Sequence, residues 1–554
     1  MKKSVKIWLI AGGSALVLGL VALFWYLAMT NNKELIARIP KDAAMVFKAD
    51  IKSLAEKAEF KQWKDLAMFD EIEKESEAFN KALEEPKHSG VNFMQNAYGF
   101  VGKSDEPYGG IIFGIKDPKD FEKTVATMDD KVEIQKTDGL YTAELDKGDV
   151  ALVWDKDVAL LYFKNADNVM EKAKQIFSQD EDMSMLENDS YMDYESLDAD
   201  LGTYLNMKKC KDLVSEMSGV NKDQFQSMDK VEGIGMTVLF EDNQMLVDAT
   251  YYPVEGATEE EISMMKDEEL SADLVKLISP TQPKGFYAAN MNLDKILGIY
   301  PQLNTEMQKE GFSLDEIKNG LTGEMSVALM DVKNMETEIE VPDYSNYDPY
   351  SAYGYPMKKE IVNRLTPIVK MNFGVKDRGM IESVISRFVS KVNERDMERN
   401  RERMDQYRYD SIPYDMVQEP RAKRYQYNSL EVLELEGVKL FFKYEGNYLS
   451  ISNSESAFSS QSFKWDEDTE EMLSEMPGAG FMDLNYRSYP DFERENARDF
   501  QEARSFLEMF NNMRFSSDGL TMHFEMNFTE SEDHILWRMM KTIDAKFVEN
   551  KNRY

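Results

Sequence analysis

Soft metal ligands are scarce in this chain: one cysteine and three histidines in 554 residues. With only Cys210, no intramolecular disulfide can form. His88, His523 and His534 make no His-Glu-x-x-His pattern. A zinc site needs three or four N, S or O ligands in tetrahedral reach, so one here would lean on carboxylates. Neither a metal nor a cofactor is expected. The common catalytic motifs are missing too. There is no Gly-x-Ser-x-Gly elbow and no phosphate loop ending in Gly-Lys-Ser/Thr. Gly233-Ile234-Gly235 lacks the third glycine of a dinucleotide fingerprint. Ser227-Met228-Asp229-Lys230 fits Ser-x-x-Lys, but its usual companion motifs are absent. Carboxylates are plentiful, and nothing singles out an acid/base pair. The runs Asp180-Glu181-Asp182 and Asp466-Glu467-Asp468 lack the spacing of a calcium loop and read as solvated acidic turns.

Positive charge is also in deficit. There are 66 Lys and Arg against 102 Asp and Glu, a net charge of −36. Nucleic-acid binding needs a basic footprint, so that class is excluded. What remains is a globular composition: 42% hydrophobic, 11% aromatic and 30% charged. The length accommodates two or three domains. Many of the 37 methionines fall in apolar stripes and read as core filling. Cys210 lies among Lys208, Lys209 and Lys211, a setting that can lower a thiol pKa. A passive, half-buried cysteine is the expectation.

One long apolar run stands at the N-terminus. Lys2, Lys3 and Lys6 precede uncharged Ile7–Met29, enough to cross roughly 30 Å of hydrocarbon. The exit Trp25-Tyr26-Leu27-Ala28-Met29-Thr30 is bulky and offers no Ala-x-Ala cleavage site. Residues 1–30 therefore read as an uncleaved signal-anchor helix. Its basic end stays in the cytoplasm, which leaves the C-terminal ectodomain in the periplasm of a single-pass inner-membrane protein.

Residues 39–255 and 279–530 look like one unit written twice, with residues 531–554 as a C-terminal helix. Pro40-Lys41 leads into the strand Met45–Ile51, and Pro283-Lys284 into Phe286–Leu293. Ile111-Ile112-Phe113-Gly114-Ile115-Lys116-Asp117 matches Val369-Lys370-Met371-Asn372-Phe373-Gly374-Val375-Lys376-Asp377. In each, the Asp suits a helix N-cap. The helices that follow carry Phe121, Val125, Met128 and Ile381, Ile385, Phe388 on one face. The hairpin turning at Asp155-Lys156-Asp157 has a counterpart at Glu445-Gly446-Asn447. Leu201–Asn206 matches Ala479–Asn485, and a strand near each unit's end completes the pattern, Met245–Tyr251 and Leu520–Met526. Gly235–Phe240 is a further strand with no evident counterpart, and Gln179–Asp200 reads as an acidic, loop-rich link. Leu54–Glu85 reads as a long helical stretch. The predicted fold is α+β: two similar units with mostly antiparallel sheets and flanking helices, behind one transmembrane helix.

The second unit is longer by two insertions, near residues 334–366 and 395–427. The first is rich in Pro, Gly, Ser, Asn and Asp around Tyr344, Tyr347, Tyr350 and Tyr353, which argues against regular structure. The second interleaves arginines and tyrosines, among them Arg401, Arg408, Tyr409 and Arg424; its start can extend the preceding helix. Tyrosine and arginine are enriched at interface hot spots, so these eight residues form the candidate partner-binding face.

With Pro40-Lys41-Asp42-Ala43-Ala44, Lys48-Ala49-Asp50-Ile51-Lys52-Ser53-Leu54 and Phe113-Gly114-Ile115-Lys116-Asp117, the chain resembles uncharacterised Bacteroidota envelope proteins that share a domain of unknown function. The resemblance implies an extracytoplasmic location and supplies no catalytic residues. No cysteine follows the apolar run, so lipoprotein sorting does not carry over. The leading functional expectation is a non-catalytic envelope interaction or scaffold protein. The alternative is a periplasmic binding protein for a peptide, lipid or glycan, and a hydrolase without recognisable motif stands third. The expected partners are the membrane, through residues 7–29, and an envelope protein; the oligomeric state is left open.

Overall fold

The computed structural model describes residues 32–553 except 60–61, 63–65, 68–88, 104–105, 129–131, 146–148, 165–167, 219–228, 300–304, 306, 310, 343–356, 408–421, 436–437, 459–462, 490–503 and 505–506. The apolar run 7–29 and most of the helical stretch expected at Leu54–Glu85 lie outside the described residues. Among the described residues, no helix is long and apolar enough to cross a membrane.

The chain is α+β, and its strands pair mostly antiparallel. In chain order the strands are β1 (Ala43–Ala49), β2 (Val91–Asn92), β3 (Ala97–Lys103), β4 (Pro107–Ile115), β5 (Gln135–Thr137), β6 (Leu140–Leu145), β7 (Val150–Trp154), β8 (Val158–Lys164), β9 (Leu201–Asn206), β10 (Val231–Phe240) and β11 (Gln244–Pro253). There follow β12 (Gly285–Asn290), β13 (Leu321–Pro342), β14 (Met357–Val375), β15 (Ala422–Tyr427), β16 (Leu430–Leu435), β17 (Val438–Glu445), β18 (Tyr448–Ser452), β19 (Gly478–Asp483), β20 (Phe510–Ser517) and β21 (Thr521–Phe528). The helices used below are α1 (Ile51–Lys57), α2 (Pro118–Met128), α3 (Asp189–Glu195), α4 (Leu314–Gly320), α5 (Arg378–Tyr407) and α6 (Ile535–Arg553).

Two compact units form, Met1–Ile262 with Leu520–Tyr554, and Ser263–Gly519. In the first, strands lie in the order β5-β6-β7-β8-β4-β3-β1-β9-β10-β11-β21. In the second the order is β15-β16-β17-β18-β14-β13-β12-β19-β20. The two orders correspond strand for strand from β5 to β10 and from β15 to β20, with β11 and β21 additional in the first, and β20 is the counterpart of β10 that the sequence pattern did not reveal. The unit boundary differs from the expected 279–530. β21 belongs to the first unit because it pairs with β11 along Gln244–Thr250.

Register carries the correspondence to single residues. Val46 sits opposite Phe100, Phe100 opposite Gly110, and Gly110 opposite Tyr162. Phe286 sits opposite Ala328, Ala328 opposite Lys370, and Lys370 opposite Ser452. Counting on along β4 and β14, Gly114 and Gly374 fall at the same place. Both admit a polar neighbour at close approach. A Cβ on Gly114 would stand 1.7 Å from Gln95 Oε1, and one on Gly374 2.0 Å from Thr322 Oγ1. The junction after each glycine repeats as well. Lys116 N and Asp117 N donate to Gly90 O, and Lys376 N and Asp377 N to Gly320 O. Asp117 Oδ1 accepts from Lys119 N and Asp120 N at 2.9 and 3.1 Å, and Asp377 Oδ1 from Met380 N at 3.0 Å, capping α2 and α5. One expected match is out by a residue. Leu201 faces Ala49 and Gly478 faces Ala289, so Gly202 corresponds to Ala479 rather than to Gly480.

The first insertion is more regular than its composition suggests. β13 and β14 stay paired out to Pro342 and Met357, so the flanks of 334–366 form a two-stranded arm; the corresponding hairpin of the first unit, β3–β4, is shorter and ends at Lys103 and Pro107. Strand pairing of the flanks overrides the local turn chemistry; the tip, 343–356, is outside the described residues. The second insertion is shorter than expected. Its start extends α5 to Tyr407, but Ala422–Tyr427 is β15, the counterpart of β5.

Each sheet is covered by its own core. In the first unit Trp154 is 0% exposed, stacked on Tyr141 at 5.3 Å and meeting Phe121 edge-on at 5.5 Å. A second cluster gathers Tyr98, Tyr191, Tyr194 and Tyr204 with Val46, Ile112 and Leu160. Two of those tyrosines come from α3, in the segment read as an acidic link. Periodic tyrosines buried between carboxylates make that segment part of the core.

Candidate functional site

Among the described residues, an open apolar concavity lies in the second unit. Its first wall is α5, whose Val384, Ile385, Phe388, Lys391, Val392 and Arg395 recur at helical spacing and so share a face. Leu433 on β16, with Leu440 and Phe442 on β17, makes the floor. Met307, Lys309 and Phe312 make the opposite wall. The groove volume is about 720 Å³. That lies within the roughly 300–1,000 Å³ of ordinary small-molecule sites.

Local chemistry holds the walls in place. Ile381, Leu433, Phe442 and Leu449 are buried together, and Ile385 and Leu440 pack on them. Arg387 pins the opposite wall: Nη2 is 2.5 Å from Glu316 Oε2, Nη1 donates to Gly311 O at 3.3 Å, and the guanidinium lies over Phe312. Phe312 and Phe388 face each other at 6.5 Å between ring centres. Phe388 remains 41% exposed at the groove surface. In the first unit, Trp154 stands at the place of Tyr444, just before the corresponding turn, and packs under α2. Tyr444 instead lies against Arg378, 3.9 Å from guanidinium carbon to ring centre.

Of the eight expected partner-binding residues, only Arg401 and Arg424 lie among the described residues. Tyr344, Tyr347, Tyr350, Tyr353, Arg408 and Tyr409 lie outside the described residues, and Arg401 is placed only as a backbone position of α5. Arg424 is described, and its charge is engaged within the unit. Nη2 is 2.5 Å from Glu382 Oε2, Nε donates to Glu431 Oε1, and Nη1 donates to Ser386 Oγ at 3.1 Å. It ties β15 to α5.

Two other clusters carry perturbed groups, and both serve the fold. Burial pushes the Cys210 thiol up to about 11, against the lowering a lysine-rich setting could give; its Sγ donates to Ala44 O at 2.9 Å. Lys48 Nζ donates to the carbonyls of Glu195 and Leu197 at 3.0 and 3.2 Å, and Tyr98 OH donates to Glu195 Oε1 at 2.7 Å. This buried network fastens α3 to β1 and β3. Desolvation raises the Glu195 carboxyl above its ordinary 4.5, while Lys48 and Tyr98 oppose the rise. The folded state therefore binds that proton more tightly than the unfolded chain. The resulting stability is complete below the unfolded pKa and is lost as pH rises through the folded one. Glu195→Gln should hence shift the urea midpoint less at about pH 7 than at about pH 4, relative to wild type. An equal shift at both would show that Glu195 does not titrate with this sign. Among the described residues, no group of three or more His, Cys, Asp or Glu side chains is placed to hold a metal ion.

The family model for DUF4836, a domain of unknown function, matches residues 36–352. The chain belongs to that family. The match spans the first unit up to β11 and continues into β13 of the second. Met307, Lys309 and Phe312 fall inside it, while the rest of the groove lies beyond it. No curated protein matches the chain. Solved structures that match are crystal forms IV, III and I of TP0453, at 10%, 9% and 8% identity. They cover 39%, 43% and 42% of this chain and 79%, 85% and 82% of that one, each with a TM-score of 0.25. A likeness at that score carries no argument about fold or function.

Proposed function

We propose that this DUF4836 protein is a non-catalytic binding protein of the cell envelope, whose second unit takes up the apolar chain of an amphiphile. In this reading residues 7–29 hold it at the inner membrane and the remainder faces the periplasm. The observation that carries the proposal is the groove under α5: open, lined by Val384, Phe388, Val392, Leu433, Leu440 and Phe442, and leaving Phe388 exposed. A catalytic site would show converging polar groups, and among the described residues the groove lining contains no carboxylate. A scaffold reading, with residues 343–355 and 399–424 as the docking face, is supported by composition alone.

The test is displacement of an environment-sensitive dye from the full chain, held in an amphipathic polymer so that no detergent competes. Linear alkanols should displace it at one saturable site. Each added methylene should tighten binding about fourfold, the equivalent of ~0.8 kcal/mol, until the groove is full. Val384→Trp and Leu440→Trp fill the groove and should remove that site. Binding that ignores chain length, or survives both substitutions, refutes the proposal.

A further inference from the structure

The groove is apolar along its length, yet three of its lining residues are cations: Lys309 on one wall, Lys391 and Arg395 on the other. On a chain of net charge −36 such a grouping is out of keeping with the surroundings. Lys391 and Arg395 are one helical turn apart on α5, and Lys309 lines the same groove from the segment that carries Gly311 and Phe312. Neither Lys309 nor Lys391 makes an ion pair among the described residues, although acidic side chains are abundant. The neighbouring Arg387 is already committed to Glu316, and Arg424 to Glu382 and Glu431. The Lys391 stem reaches this segment: a Cβ built on Gly311 would meet Lys391 Cε at 3.5 Å, an ordinary contact distance. The stem therefore lies beside Gly311, and Lys391 lines the groove. A lysine packed in this way keeps its methylenes on apolar surface and its charge at the rim.

We propose, resting on the binding function above, that the groove selects an amphiphile with an anionic head: one acyl chain on the apolar lining, and a carboxylate or phosphate against Lys309 and Lys391. An anion held between two ammonium groups at the edge of a low-dielectric wall interacts more strongly than in bulk water. A neutral head of the same size gains nothing there. The chemistry admits two sources, a free fatty acid or the phosphate of a single-chain phospholipid.

The experiment compares laurate with dodecanol, equal in chain length, on the full chain in amphipathic polymer. Lysophosphatidate and lysophosphatidylcholine run in parallel. Wild type should bind laurate at least about tenfold tighter than dodecanol, a difference of ~1.4 kcal/mol. The excess should shrink with added salt. Lys309→Met with Lys391→Met should erase the excess and leave dodecanol affinity in place. Lys309→Arg with Lys391→Arg should preserve it, which shows that loss in the methionine pair is loss of charge and not of fold. Tighter binding of laurate identifies a fatty acid as the better ligand, and tighter binding of lysophosphatidate a lipid phosphate; either supports the anionic head. Equal affinity for laurate and dodecanol in wild type overturns this inference while leaving the binding function standing. Failure of all four ligands to bind overturns both.

Discussion

Replacing Trp154 by Ala should cost the first unit about 3–5 kcal/mol, enough to remove most of the stability of an ordinary domain. The side chain is fully buried, stacked on Tyr141 and edge-on to Phe121, so truncation removes apolar contact and both ring interactions at once. The neighbours come from β6 and α2, elements fixed by their own hydrogen bonds, and can close only part of the void. Calorimetry should show one transition falling while another, belonging to the second unit, stays in place. Trp154→Phe should recover much of the loss. A cost under ~1 kcal/mol for the alanine variant would mean that this ring cluster does not hold the unit together.

Asp200→Ala should be comparably damaging. Asp200 is 1% exposed and its carboxylate has three partners: Lys57 Nζ at 2.6 Å, Phe240 N at 2.6 Å, and the Ser53 hydroxyl. Its carbonyl also accepts from Asp50 N, the residue whose side chain caps α1 by accepting from Ser53 N. One residue thus joins α1, β9 and β10. Removing it strands a lysine and a buried backbone N–H, and breaking such a pair costs about 3–5 kcal/mol. The check is a double-mutant cycle with Lys57→Met by urea denaturation. Losses that add independently across the pair would show that the two groups do not act on each other.

How much of this was readable beforehand depended on whether the signal was local. Asp117 and Asp377 act within one turn of their own helices, and the Phe-Gly-x-Lys-Asp runs around Gly114 and Gly374 mark equivalent strand ends directly. The turns at Asp155 and Glu445 were likewise legible, because two short β-rich runs flank each. β20 was not: Phe510-Asn511-Asn512-Met513-Arg514-Phe515 is polar and half-buried, and becomes a strand through pairing with β19. Tyr191, Tyr194 and Glu195 looked like a solvated link because acidity was weighed above the spacing of the tyrosines. The groove shows the same limit. Ile381, Ile385 and Phe388 were legible as an apolar helix face, but the opposite wall comes from residues 307–312 and the floor from 433–442. Only tertiary packing reveals that the face is left partly uncovered. The tyrosine-rich tip at 343–356 shows the reverse: a conspicuous composition whose flanks are plain ladder.

The pairing of β21 with β11 has a consequence for the order of events during synthesis. The first unit begins near the N-terminus yet is completed only by Thr521–Phe528 and α6, after all of the second unit has been made. Until then the Gln244–Pro253 edge carries unsatisfied amide and carbonyl groups on a strand already translated. An open edge of that kind recruits other strands. A chain emerging N-terminus first must therefore keep most of the first unit waiting on Thr521–Phe528, and a truncation that removes this strand would leave the β11 edge open. The C-terminal segment acts as a latch on the oldest part of the molecule.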